Sequence, residues 1–171
     1  MKKAFVAAAI AALNMQAFAA KQDCENAAHA KAYVSGFQKE FMAAGTAMTD
    51  REKQYTKRID AIKARLINAG AWTPQEASLQ VMNFAILDQE AKEAEAVRKK
   101  AATDLKVQLY ALEGVDIVAG NDKVARDRAA CLMGYDAIDK LQKLDGAASA
   151  AWELLIAKLA KVAAEKNISL D

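Results

Sequence analysis

The chain is 171 residues long and has 24 basic and 22 acidic side chains, a formal net charge of +2. This length suits a single domain. The near balance of charge excludes nucleic-acid binding through a clustered basic excess. Alanine is the commonest residue, while glycine and proline number seven and one. Such a composition favours helices, so we predict an all-α fold.

Residues 1–19 have the pattern of a cleaved signal peptide. Lys2 and Lys3 precede a short apolar run, and residues 17–19, Ala-Phe-Ala, are small-x-small as a signal peptidase requires. The run is shorter than the ~20 apolar residues of a membrane-spanning helix. We expect cleavage to leave residues 20–171 as a single helical domain without a transmembrane segment, in the periplasm of a bacterium or secreted from it. The leader holds two basic residues and no acid, so 22 of each sign remain.

Two helices are predicted in the first part of the mature chain. The first covers residues 23–44, with Gly45 as its C-terminal cap. The second begins near Thr49 or Asp50 as N-cap and ends at Gly70. Aromatic residues recur every four positions on the first helix, and a heptad-like seam follows on the second: Tyr33, Phe37 and Phe41; then Tyr55, Ile59, Ile62 and Leu66.

A capping box marks the start of the third predicted helix. Thr73 supplies the N-cap hydroxyl, Pro74 takes the first helical position, and Glu76 reaches back to the Thr73 amide. We expect this helix to bury Leu79, Met82 and Ile86.

The stretch 88–106 is highly charged, with mostly alanine between the charges. Acid-first i,i+4 pairs support an exposed helical stretch. The alternative is a projecting arm that binds a partner protein; its candidate residues are Glu90, Glu93, Glu95, Arg98, Lys99 and Lys100. A straight helix over 74–113 would span ~60 Å and would place its two ends far apart. We therefore also consider a break near 101–104.

The remaining chain predicts a break at 113–121 and two more helices. One runs from Asn121 or Asp122 to Asp145, and the other over 148–166, followed by a fraying tail at 167–171. Inward positions are assigned to Val124, Cys131, Tyr135, Ile138 and Leu141, and then to Trp152, Leu155, Leu159 and Val162. The prediction is an antiparallel bundle of four to five helices with one long, partly exposed helix.

Cys24 and Cys131 are the only cysteines. Export places them where disulfides persist, so an intramolecular bridge is predicted. An intermolecular bridge or two free thiols are the alternatives. A straight helix over 74–113 conflicts with this bridge, because the Cα atoms of a disulfide lie within roughly 7 Å.

No catalytic pattern is visible, so we do not expect an enzyme or a cofactor. Cys24, Glu25 and His29 lie close together in sequence, but a metal site needs three or four ligands and a disulfide would remove Cys24. No metal site is expected.

The leading functional hypothesis is therefore an exported helical protein-interaction module, acting in chaperoning, secretion assembly or inhibition, with another protein as its partner. The alternative is a carrier of a small apolar ligand or metal. Its cavity would be lined by the aromatic residues Tyr33, Phe37, Phe41 and Trp152 together with methionines.

Overall fold

The structure is a computed structural model that describes residues 23–170, apart from the side chain of residue 118. The predicted signal peptide lies outside the described residues. The chain forms five helices in this range, α1 Ala27–Asn68, α2 Pro74–Ile86, α3 Gln89–Glu113, α4 Val115–Ala119 and α5 Lys123–Glu165. Residues 23–170 contain no strand. The predicted all-α helical bundle is confirmed.

Two predicted helix ends are wrong, because the long helices continue through glycine. α1 is 42 residues long and continues past Gly45, and α5 is 43 residues long and continues past Gly146. Thr49, one predicted N-cap, lies inside α1 and donates its hydroxyl hydrogen to the Gly45 carbonyl at 3.1 Å. An interior glycine costs only about 1 kcal/mol relative to alanine, which tertiary packing of a long helix outweighs.

The break in the charged stretch lies at Leu87 and Asp88, before the predicted 101–104. Asp88 Oδ1 accepts a hydrogen bond from the Ala91 amide at 3.1 Å, which caps the new helix α3. At the predicted position the helix is continuous, and Thr103 donates to the Lys99 carbonyl within α3 at 3.0 Å.

The predicted break at 113–121 contains the short helix α4 and then a sharp turn at Gly120. Gly120 has φ 57°, a left-handed backbone that glycine adopts without strain. Asp122 Oδ1 then accepts from the amides of Val124 and Ala125, at 2.9 and 3.0 Å, and caps α5.

Internal packing divides the chain into two compact units. Within the described residues, unit 1 comprises 23–44 and 104–141, and unit 2 comprises 45–103 and 142–170. The assignment of residues 20–171 to a single domain stays a prediction.

Unit 1 is built around the Cys24–Cys131 disulfide. The core residues Cys24, Ala30 and Cys131 are buried, and Tyr33 and Tyr135 pack against them. The two tyrosine rings stack with their centroids 4.0 Å apart.

Unit 2 has an aliphatic core between α1 and α5. The predicted seam on α1 meets a matching stripe on α5; the buried members are Ile59, Ile62, Leu66, Ile156, Leu159 and Ala163. Arg51 pairs with Asp145 and Arg58 with Glu153, so the two helices run parallel here. Ile168 and Leu170 pack against this core, so the prediction of a fraying tail is wrong for residues up to 170.

Four residues that were predicted to be inward are exposed. Leu79, Met82 and Ile86 of α2 are 50, 49 and 57% exposed, and Val124 of α5 is 48% exposed. On α2 the buried face instead carries Ala77, Val81 and Phe84. Both faces of α2 have apolar residues at helical spacing, and the face that was predicted to be buried is the exposed one.

Candidate functional site

The exposed face of α2 forms an apolar ridge, defined here as Leu79, Met82, Ile86 and Leu87. Leu87, the C-cap residue, is 64% exposed. The spacings of three and four place Leu79, Met82 and Ile86 on one side of the helix, and Leu87 follows at its C-cap. Large apolar side chains clustered in this way on a surface are typical of an interaction site.

The ridge carries no charge of its own. Glu76 is the one charged residue of α2, and its carboxylate accepts a hydrogen bond from the Thr73 amide at 2.7 Å. The Glu76 amide donates to the Thr73 hydroxyl at 3.2 Å, which completes the predicted capping box. The hydrogen bond from the Thr73 backbone lowers the pKa of Glu76, so this carboxylate is fixed at the start of α2.

The beginning of the predicted arm is held by a lysine of α5. Lys158 Nζ donates to Asp88 Oδ2 and Glu90 Oε2, each at 2.8 Å. Hydrogen bonding to these two carboxylates raises the pKa of Lys158, and the bond from Lys158 lowers the pKa of Asp88. Within unit 2, this contact ties the first turn of α3 to α5.

The charges further along the arm also have neighbours. Arg98 donates to both carboxylate oxygens of Glu95, at 2.7 and 2.8 Å. Lys99 lies 3.8 Å from Glu95, and Glu93 accepts from Gln89 at 2.9 Å. Lys100 has an interaction as well. A partner-binding role for the arm stays a prediction.

A cavity of about 320 Å³ lies in unit 2, between α1, α2, α3 and α5; we call it the unit 2 cavity. Its apolar lining comes from five large side chains and several alanines; the large ones are Met48, Phe84, Trp152, Leu154 and Leu155. Its charged lining residues are Arg51, Glu52, Glu95, Arg98, Asp145 and Lys158.

The cations around the unit 2 cavity are already paired. Arg51 donates from Nε to Asp145 Oδ1 at 3.1 Å and from its terminal nitrogen to Asp145 Oδ2. Arg98 is bound to Glu95 in the same two-pronged manner, and Lys158 lies between Asp88 and Glu90. Bidentate arginine–carboxylate pairs of this kind are strong and directional.

The residues predicted to line a ligand cavity are divided between the two units. Trp152 and Met48 line the unit 2 cavity, but Tyr33, Phe37 and Phe41 belong to unit 1. There the three rings follow one another on α1, with centroid distances of 6.2 and 5.6 Å. The predicted aromatic stripe on the first helix is therefore present, and a ligand-binding role for it stays a prediction.

The candidate metal ligands near Cys24 have other partners. Cys24 and Cys131 are joined in a disulfide with Cα atoms 5.8 Å apart. His29 Nε2 lies 3.4 Å from the Tyr135 hydroxyl. Across residues 23–170, no group of three or more His, Cys, Asp or Glu side chains could hold a metal ion.

No helix between residues 23 and 170 is both long and apolar enough to cross a membrane. Comparison with models of known protein families, with curated proteins and with solved structures finds no match. The protein is thus an all-α bundle with an exposed apolar ridge on α2 and a cavity in unit 2 that is lined by both apolar and charged side chains.

Proposed function

We propose that the protein is an exported helical protein-interaction module and that the apolar ridge is its binding surface. One observation carries the proposal: three large apolar side chains, each about half exposed or more, share one side of α2, and a fourth, Leu87, follows at its C-cap. Burying the rest of each is worth roughly 1 kcal/mol. Together they supply about 4 kcal/mol, and the apolar face that the partner buries in the same contact must supply the rest of what offsets the cost of association.

The occupant that fits best is an amphipathic helix of another protein. A row of side chains three and four positions apart packs into the groove of a second helix. The ridge has no lysine or arginine on its own helix, whereas helices that bind anionic membranes are rich in these residues. The chemistry therefore favours a neutral apolar helix face over a lipid surface.

The proposed location is the periplasm or the medium of a bacterial cell. The leader pattern of residues 1–19 supports export, and the disulfide fits an oxidising compartment. Sequencing the N-terminus of the purified protein tests this part. We expect a chain that begins at Ala20 in the periplasm or medium; a chain that begins at Met1 in the cytoplasm would contradict it.

Site-specific photo-crosslinking tests the surface. A photoreactive residue at position 82 or 86 reports contacts of the ridge, and one at position 124 is the control, since Val124 and Met82 are equally exposed, at 48 and 49%. We expect crosslinks from 82 and 86 that map to the apolar face of a helix in another protein. A synthetic peptide of that helix should bind about tenfold more weakly to Ile86→Gln, a loss of about 1.4 kcal/mol.

Several outcomes would overturn the proposal. These are equal products from position 124, products with lipid alone, or products only with a second copy of this chain. Unchanged binding of the peptide to Ile86→Gln would do the same. Sedimentation of the purified protein separates self-association from binding of a partner.

A further inference from the structure

The unit 2 cavity carries an inference that is independent of the apolar ridge. Its volume of about 320 Å³ is at the lower end of the range for small-molecule sites, ~300–1,000 Å³. Two aromatic rings, those of Phe84 and Trp152, form its apolar lining together with one methionine, two leucines and several alanines. The space and lining suit a compact organic molecule of about ten non-hydrogen atoms.

The charges around the cavity select the head group of such a molecule. Each of the three cations that line the cavity, Arg51, Arg98 and Lys158, is paired with one or two carboxylates within unit 2. An anionic ligand would therefore have to displace a carboxylate that is fixed in place. Displacement of this kind loses charge-assisted hydrogen bonds that are about twice as strong as neutral ones.

Glu52 is a lining carboxylate that does not take part in these ion pairs. It lines the cavity, whereas the carboxylates that pair with the three lining cations are Asp145, Glu95, Asp88 and Glu90. Its charge still acts on the rim: the pKa of Arg98 is raised chiefly by the hydrogen bond to Glu95, and Glu52 adds to that increase. A cationic ligand could pair with Glu52 without breaking any of these ion pairs.

The aromatic lining favours the same choice of ligand. The face of a tryptophan or phenylalanine ring attracts a cation within ≈ 6 Å of its centre, most strongly for tryptophan. Trp152 and Phe84 both line the cavity that Glu52 borders. The cavity can therefore bury the apolar body of a ligand and attract its cationic head group at the same time.

We propose that the unit 2 cavity binds a small organic cation with an apolar body, an amine that packs its hydrocarbon part against Trp152 and Phe84 and places its ammonium group at Glu52. This binding site is separate from the protein-interaction surface on α2, so either can exist without the other.

Three probes with one body and different head groups test the proposal. They are 3-phenylpropylamine, 3-phenylpropanol and 3-phenylpropanoate, each titrated into the purified protein by calorimetry. We expect the amine to bind about tenfold more tightly than the carboxylate, a difference of about 1.4 kcal/mol, with the alcohol between them. In the nuclear magnetic resonance spectrum, the indole N–H of Trp152 should shift on binding, whereas that of Trp72, which does not line the cavity, should not.

Matched variants locate the two halves of the ligand. Glu52→Gln should bring the affinity for the amine down to that for the alcohol, while Glu93→Gln, an exposed carboxylate that does not line the cavity, should leave it unchanged. Ala151→Phe should fill the cavity and abolish binding of all three probes. Ala150→Phe, one position along α5 and exposed, is its control for folding.

The proposal is overturned if the three probes bind equally, if the carboxylate binds most tightly, or if none binds saturably at millimolar concentration. It is also overturned if Glu52→Gln leaves the preference for the amine intact. If Ala151→Phe fails to fold, the Glu52→Gln comparison and the Trp152 shift still decide the result. None of these measurements involves the apolar ridge, so a negative result leaves the protein-interaction proposal standing.

Discussion

Gly134 of α5 lies directly against the ring of Tyr33 on α1. A Cβ atom at position 134 would be 2.8 Å from Tyr33 Cε1 and 3.0 Å from Phe37 Cδ2. Real Cβ atoms essentially never come that close to another side chain. The tyrosine cannot swing away freely, because its ring also stacks on Tyr135. Glycine is therefore required here by the close approach of two helices.

Gly134→Ala should destabilise the protein. Alanine is the better helix former by about 1 kcal/mol, but overpacking of this kind costs about 1–3 kcal/mol, so the free energy of unfolding should fall by up to about 2 kcal/mol. Urea unfolding followed by circular dichroism measures the change.

Gly146→Ala is the matched control in the same helix. Nothing lies within 4 Å of a Cβ at that position, so the substitution should raise the free energy of unfolding by up to about 1 kcal/mol. Equal effects of the two substitutions would contradict the packing of Gly134 against Tyr33.

The disulfide should contribute strongly to stability. It joins residues 107 positions apart, and closing a loop of that length stabilises by about 4–5 kcal/mol in the chain-entropy model. We expect the free energy of unfolding to fall by an amount of that order when a reductant is present. Guanidinium unfolding with and without dithiothreitol provides the measurement.

The control for the disulfide is the variant Cys24→Ala/Cys131→Ala, whose unfolding should not respond to the reductant. A peptide map of the nonreduced protein should contain a peptide pair that joins Cys24 to Cys131. Identical unfolding of the unchanged protein with and without reductant would contradict the prediction.

Local signals made part of this fold predictable from the sequence. The capping box at Thr73 and Glu76 depends on hydrogen bonds across three residues, and the structure contains both. The seam at Ile59, Ile62 and Leu66 follows from helical periodicity, and all three side chains are buried. Such features can be predicted because each depends on residues within a few turns of one helix.

The ends of the long helices depended on tertiary contacts and were missed. The helix predicted to end at Gly45 continues through that residue, and the straight helix considered over 74–113, which conflicts with the disulfide, is not formed. In the structure α1 has 42 residues, while α2 and α3 have 13 and 25. Residues 74–113 are therefore two helices and not one straight helix, and the Cα atoms of Cys24 and Cys131 lie 5.8 Å apart.

The face of α2 and the unit 2 cavity could not be read from the sequence. Apolar residues occupy two stripes of α2, and which stripe is buried depends on the α1–α5 core against which Val81 and Phe84 pack. The cavity combines side chains from segments near residues 50, 90 and 150. No pattern within one segment indicates that these three would meet.

Two threonines distinguish a true helix cap from an interior position. Thr73→Ala should lower the free energy of unfolding by about 1 kcal/mol, within the range of 0.5–2 measured for N-caps, because the Glu76 amide loses its acceptor. Thr49→Ala should be neutral or stabilising, since Thr49 lies within α1 and alanine has the higher helix propensity. Thermal unfolding of the two variants tests this difference, and a cost for Thr49→Ala as large as that for Thr73→Ala would contradict the continuous α1.

The contact of Lys158 with Asp88 and Glu90 should give stability a defined dependence on pH. The pKa of Asp88 is lowered by the hydrogen bond from Lys158, so its contribution is present above the ordinary carboxyl pKa of about 4 and is lost as pH falls through the lowered value. The pKa of Lys158 is raised by its bonds to the two carboxylates, so its contribution is present below about 10.4 and is lost as pH rises through the raised value. The difference in unfolding free energy between the unchanged protein and Lys158→Met should therefore be greatest near neutral pH and shrink at both extremes.

Lys161→Met is the control, because Lys161 is 78% exposed and lies 4.0 Å from Glu165, an exposed pair that contributes little. A Lys158→Met difference that stays constant from acid to alkaline pH would show that the lysine acts through packing of its hydrocarbon chain and that its ion pairs do not stabilise the first turn of α3.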